Sequence, residues 1–234
     1  RKDILKVDWN EATIAPSPLV KERLKSLLET DFLNLYPATD NELLRKLLSD
    51  YIGLPQTNIQ YFGGSDSLHE YISKMYITVG DPCLIVWPSY DNFRLTAQVA
   101  GAQVMFYELD DNFKFDKEQF EEKIERKEPS LVYICNPNNP TGLVFDNYYI
   151  ESLLQKFSQT MFLIDEAYIE FCPDFSCKDL VKKYDNILIS RTMSKAFGLA
   201  NIRFGYLLAS EENIQYISSI RNPKNITTFA QEAV

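Results

Sequence analysis

The chain has 234 residues, an apolar fraction of 45% and a formal net charge of −9. A chain of that length buries a sizeable core, as one large or two small domains. The acidic balance, with no Lys/Arg-rich run, argues against a general nucleic-acid or membrane-surface role, so a bound phosphate needs a local site of backbone N–H groups and one or two arginines.

After Pro18, the residues Leu19, Val20, Arg23, Leu24, Leu27 and Leu28 follow a helical period and predict a first helix. Thr39 with Glu42 reads as a capping box for a second, carried by Leu43, Leu44, Leu47 and Leu48 and stopped at Gly53. Beyond it, short apolar runs alternate with amphipathic stretches. The runs at Cys83–Trp87, Val104–Leu109, Leu131–Cys135, Met161–Asp165, Ile187–Ser190 and Tyr206–Ala209 predict strands. Helical stretches are expected at Tyr71–Val79, Phe93–Ala100, Lys117–Lys127, Tyr148–Phe157 and Asp179–Lys183. This alternation predicts an α/β fold, a three-layer αβα sandwich with a mostly parallel sheet. The runs are apolar throughout, as strands covered on both faces should be.

Cys83, Cys135, Cys172 and Cys177 form no CxxC pair, and His69 is the only histidine, so no metal site is expected. Three of the four thiols sit in or beside apolar runs, which reads as buried free cysteines in a reducing cytoplasm. No signal peptide and no apolar stretch of membrane-spanning length is visible.

Ligands of such sheets sit outside the carboxyl ends of the strands. Four polar, turn-rich segments fall there: Gly63-Gly64-Ser65-Asp66, Asn136-Pro-Asn-Asn-Pro-Thr-Gly142, Asp165-Glu-Ala-Tyr168 and Arg191-Thr-Met-Ser-Lys195. Each has an ordinary reading. A lone lysine is usually a surface residue, an Asp after a strand can cap the next helix, a Gly-Gly turn is common, and His69 is by default a structural histidine. The chemical readings gain from being together. Lys195, partly desolvated on a short loop, could form an imine. Asp165 could pair with a protonated pyridine nitrogen. Tyr168 could hydrogen-bond a ring oxygen, and the proline-fixed loop Asn136–Gly142 could present the Asn139 amide to a ligand. Ser65 and Asp66 open a helix whose N–H groups attract anions. Arg203 could grip a phosphate. Tyr90, just beyond a strand, could stack on a flat ring.

Together these segments resemble the fold-type-I pyridoxal-phosphate (PLP) aminotransferases of class I and II, and within them the histidinol-phosphate aminotransferase branch. Asn136–Gly142, Ile164–Phe171, Thr192–Ala200 with Arg203 and Gly205, Tyr36-Pro37 and Gly64-Ser65-Asp66 match in order and spacing over nearly the whole chain. The resemblance implies that Lys195 holds the cofactor as a Schiff base and shuttles a proton. It implies that Asp165 pairs with the pyridinium, Asn139 and Tyr168 bind the phenolic oxygen, and Tyr90 stacks on the ring. Ser65 and Asp66 N–H groups, with Thr192, Ser194 and Arg203, would hold the phosphate. Tyr36 would reach the cofactor of the neighbouring subunit in a homodimer.

The family's N-terminal Asn-Glu-Asn-Pro appears here as Asn10-Glu11-Ala12-Thr13, on the substrate side. Residues 1–35 are expected to lead into a PLP-binding large domain over 36–234. The chain starts without Met and stops at Val234 in what reads as a helix, so the ends, including a smaller C-terminal domain, are expected to be missing. The expected activity is transfer of an amino group between an amino acid or phosphorylated amine and a 2-oxo acid such as 2-oxoglutarate. Decarboxylation of a phospho-amino acid is the alternative reading, and a non-catalytic binding or regulatory domain on the same fold is a third.

Overall fold

Side chains alternate across a strand, so a run apolar at every position has to be covered on both faces. A computed structural model describes residues 6–234, and the first five residues of the expected N-terminal segment lie outside the described residues. Seven strands form one sheet: β1 Ile59–Phe62, β2 Pro82–Trp87, β3 Gln103–Glu108, β4 Leu131–Cys135, β5 Met161–Asp165, β6 Ile187–Thr192 and β7 Gly205–Ala209. Their order is β1-β7-β6-β5-β4-β2-β3. Only β7 runs against its neighbours, β1 and β6, so the sheet is mostly parallel as expected.

The faces bury two separate cores. Val132, Ile134, Phe162, Ile164, Ile187 and Ile189 point to one side. There they meet α2 (Glu42–Ile52), α5 (Lys117–Lys127) and α6 (Asn147–Lys156) through Leu48, Phe120, Ile150 and Leu153. Leu131, Tyr133, Leu163, Leu188 and Leu207 point to the other, against α3 (Ser65–Tyr76), α4 (Asn92–Val99) and α7 (Glu211–Ile220) through Leu68, Ile72, Phe93 and Ile217. Those are the three layers. Full burial of each such side chain contributes about 1.5–3 kcal/mol of transfer free energy. At the periphery α1 (Pro18–Leu28) meets α8 (Thr228–Glu232) through the Arg23–Glu232 ion pair, and Phe32 sets its ring 5.2 Å from Phe229.

Four expectations change. The second helix is capped by Asn41, whose side chain accepts from Leu44 N at 3.0 Å, because Glu42 is already the first helical residue and Thr39 lies outside. Strand β1 was hidden by Gln60, a polar residue inside it, whose amide is satisfied by Ser218 and by Tyr61 N. Helix α3 starts six residues before Tyr71, at Ser65, and stops at Tyr76, where Ile77 turns extended. Asp179–Lys183 is no α-helix: Lys178–Lys182 forms a 3-10 turn that buries Leu180 and Val181.

Candidate active site

Register brings the expected segments to one edge. Cys135 pairs with Asp165 and Asp165 with Ser190, so β4, β5 and β6 end side by side. Gly205 opposes both Thr192 and Phe62, which sets the turn after β1 beside the loop after β6. Because β7 is antiparallel to β6, the loop between them leaves and re-enters at that same edge. Lys195 and Arg203 are its outgoing and returning ends.

Asp165 forms the floor and is 1% exposed. Its Oδ2 accepts from the Tyr133 hydroxyl at 2.8 Å, and Oδ1 from Ser190 Oγ at 3.0 Å. His69 Nε2 lies 3.8 Å from Oδ2 and is the only basic group within ion-pair reach of Asp165 among the described residues. Burial holds the His69 imidazole below its ordinary value, against the pull of Asp165 and Asp66.

A second corner gathers groups whose chemistry suits an anion. Gly64, at φ 94°, ends the turn before α3, and no side chain caps that helix. The first N–H groups of a helix have no partner within it. Arg203 reaches across Gly64 to Asp66 Oδ2 at 3.1 Å, and a Cβ on Gly64 would stand 2.6 Å from the Arg203 guanidinium. Asp66 Oδ1 also accepts from the Tyr90 hydroxyl and Asn92 Nδ2, each at 3.0 Å. Ser194 Oγ lies 3.5 Å from Arg203. The Thr192 hydroxyl is committed inward, to Phe204 O at 3.2 Å and to Ser194 N at 3.1 Å, and braces the turn.

Between floor and corner stands the amine. Lys195 is half-buried, its Nζ donating to Trp9 O at 2.8 Å and lying 5.7 Å from the Tyr168 ring centre. Desolvation lowers its pKa, opposed by Asp66 and assisted by Arg203. The Tyr168 hydroxyl accepts from Asn139 Nδ2 at 3.3 Å and from Asn10 Nδ2 at 3.1 Å. Burial raises the Tyr168 pKa above its ordinary value, so the phenol stays protonated at neutral pH. The loop carrying Asn139 is tied by Asn138, which accepts from Ser89 Oγ at 2.7 Å and donates to Pro88 O at 2.9 Å.

Ser65, Asp66, Tyr90, Asn139, Asp165, Tyr168, Thr192, Ser194, Lys195 and Arg203 therefore gather at one sheet edge, with Asp165 buried and Thr192 turned inward. Tyr36 stands apart, 78% exposed, with Lys224 Nζ 4.3 Å from its ring centre. Several contributors escaped the sequence reading. His69 lies four residues after Ser65, on the α3 face that also presents Leu68 and Ile72, and that face was the available signal. Tyr133 and Ser190 read as strand interior. Asn10, in the segment expected on the substrate side, does reach Tyr168. Behind the mouth, Arg191 and Glu166 form a buried pair at 2.7 Å, fixed by Ser176 Oγ and Cys177 N. Cys83, Cys135 and Cys177 are buried and Cys172 is half-buried, all unpaired. Among the described residues no cluster suits a metal, and no helix is long and apolar enough to cross a membrane.

The chain is 44% identical over its whole length to a dihydroxyacetone phosphate transaminase of Campylobacter jejuni, and covers 64% of that protein. It is 37% identical over 230 residues to a histidinol-phosphate aminotransferase of Ruminiclostridium cellulolyticum, again covering 64% of the relative. It thus spans just under two thirds of the length of these relatives. The solved histidinol-phosphate aminotransferase of Sinorhizobium meliloti, in complex with pyridoxal-5'-phosphate, superposes with a TM-score of 0.89 at 26% identity, over 96% of this chain and 61% of that one. The L-threonine-O-3-phosphate decarboxylase of Porphyromonas gingivalis, at 22% identity and a TM-score of 0.79, shares the fold. The family described as aminotransferase class I and II matches residues 2–234, and the chain belongs to that family.

Proposed function

We propose that residues 36–234 are the PLP-binding large domain of an aminotransferase that moves an amino group between an amino acid or phosphorylated amine and a 2-oxo acid such as 2-oxoglutarate. The observation that carries this reading is a desolvated amine, Lys195, and a buried carboxylate, Asp165, at one sheet edge beside an uncapped helix start. Two relatives above 30% identity are named for phosphate-bearing compounds, which supports a phosphorylated donor or acceptor.

The residues fit the cofactor. Asp165 is a buried acid with two hydroxyl donors and only a neutral imidazole near it, so a protonated ring nitrogen supplies the charge it lacks. Free N–H groups of Ser65 and Asp66, the Ser194 hydroxyl and Arg203 suit its phosphate. Asn139 and Tyr168 suit its phenolic oxygen, and the Tyr90 ring, tied to Asp66, suits stacking. Thr192 contributes by bracing Ser194.

Bound there, PLP would supply an electron sink for chemistry at the substrate Cα. Lys195 would hold the carbonyl end of the cofactor and would move the proton at the substrate Cα. Its lowered pKa makes the free amine available nearer neutrality. Asp165 would pair with the protonated ring nitrogen. Arg203, shared with Asp66, would anchor the phosphate end.

The exposed Tyr36 supports a homodimer in which it reaches the partner's cofactor, and the unpaired thiols support a cytoplasmic setting. The test is direct. With PLP the protein is expected to turn yellow, and borohydride followed by peptide mass mapping should place the cofactor on Lys195. Lys195→Ala should lose both signals. A wild-type protein with no visible band and no tagged Lys195 refutes the reading. Phosphorylated amines with 2-oxoglutarate should yield glutamate, whereas carbon dioxide release without a keto acid would mark a decarboxylase.

A further inference from the structure

Asp165 has a neighbour that none of the recognised segments required. His69 sits one turn into α3, fully buried, with its ring edge-on to Phe93 and Tyr133 at centroid distances of 5.6 and 6.0 Å. Its Nε2 is 3.0 Å from Ser190 Oγ, which is itself 3.0 Å from Asp165 Oδ1, and its Nδ1 has no hydrogen-bond partner.

Counting protons fixes the direction of this chain. A neutral imidazole carries one N–H and a serine hydroxyl one O–H. In one arrangement Nε2–H donates to Ser190 and Ser190 donates to Asp165. In the other, Nδ1 carries the proton, Ser190 donates to the bare Nε2, and Asp165 Oδ1 loses its donor. The second arrangement leaves a buried N–H and a buried carboxylate oxygen unsatisfied, each at the full desolvation penalty. The first leaves bare only the Nδ1 lone pair. The acids facing the ring, Asp165 from β5 and Asp66 from α3, favour a charged imidazolium but are outweighed by burial, while Phe93 and Tyr133 from α4 and β4 add no cation.

We propose that His69 is a positioning residue: its Nε2–H, donated to Ser190, turns the serine hydroxyl onto Asp165 and keeps that carboxylate aligned to receive a cationic ring nitrogen. The inference rests on the PLP reading above. His69 acts through Ser190 and touches neither cofactor nor substrate. Tyr133 completes the arrangement by donating to the other oxygen at 2.8 Å, so both oxygens are held.

His69 is the only histidine of the chain, so histidine-labelled protein gives one imidazole to follow. Nitrogen NMR should find it neutral, protonated on Nε2, and not titrating at the ordinary value of 6.5. A proton on Nδ1, or an imidazolium, overturns the proposal without any variant. In the PLP-loaded protein, His69→Leu fills the space without a donor and should raise the PLP dissociation constant about tenfold, the loss of roughly one hydrogen bond in a charged network. His69→Gln can place an amide N–H near Nε2 and should recover most of that loss. In a Ser190→Ala background, His69→Leu should add nothing further. Equal PLP affinity in wild type, Gln and Leu variants, with Lys195 still tagged in each, overturns the role of His69 alone. Failure to tag Lys195 in the wild type overturns the wider reading instead.

Discussion

Replacing Gly205 by alanine tests whether the anion corner is held by backbone contact. Gly205 opens β7 between β1 and β6, facing Phe62 on one side and Thr192 on the other. A Cβ there would stand 2.6 Å from Ser65 N, 2.7 Å from Gly64 C and 2.9 Å from Arg191 O. Ordinary van der Waals contact starts near 3.4 Å, so the first approach is about 0.8 Å too short. All three atoms are backbone, and two of them belong to the turn that opens α3, so no side chain can swing aside. Overpacking of this kind costs about 1–3 kcal/mol, which lowers the unfolding midpoint of a domain this size by about 2–12 °C. The displaced group is Ser65 N–H, so PLP retention should fall as well. Thermal unfolding of the cofactor-free protein and PLP titration of the folded variant measure the two effects separately. Gly80→Ala is the control, because its φ of 92° strains the backbone but nothing stands within 4 Å of the new Cβ. It should lose stability and keep PLP affinity. A Gly205→Ala protein with unchanged midpoint and unchanged affinity refutes the reasoning.

Arg191→Met should destabilise by about 3–5 kcal/mol in urea unfolding, because it leaves the fully buried Glu166 carboxylate without its cation. Adding Glu166→Gln should recover part of that loss, and additive losses would show that the pair is not coupled. Glu170→Gln should raise the unfolding midpoint at neutral pH. Burial raises the Glu170 pKa above its ordinary value of 4.5, outweighing a backbone hydrogen bond and Arg191. The unfolded chain therefore ionises first, and stability is lost as pH climbs from 4.5 through the folded value. Below that window both states are protonated, so the gain from Gln should vanish in acid, and a gain independent of pH would refute it.

The sequence by itself determined the layers and most of the candidate site. Continuous apolar runs such as Leu131–Cys135 can be buried only from both sides, so six strands and a covered parallel sheet follow from local pattern. The motif residues Lys195, Asp165, Tyr168 and Asn139 were legible because each falls where a strand ends. Tertiary structure alone decided the rest. Gln60 hid β1, since a polar residue inside a strand is acceptable only when Ser218, far along the chain, satisfies it. The antiparallel return of β7, which carries Arg203 back to Ser194 and Asp66, depends on pairing between strands and leaves no local signature. His69 had only its helix face to announce it, and its contact with Ser190 joins residues 121 positions apart. Local periodicity reports which face of an element is buried; which polar groups meet inside is settled when the elements pack.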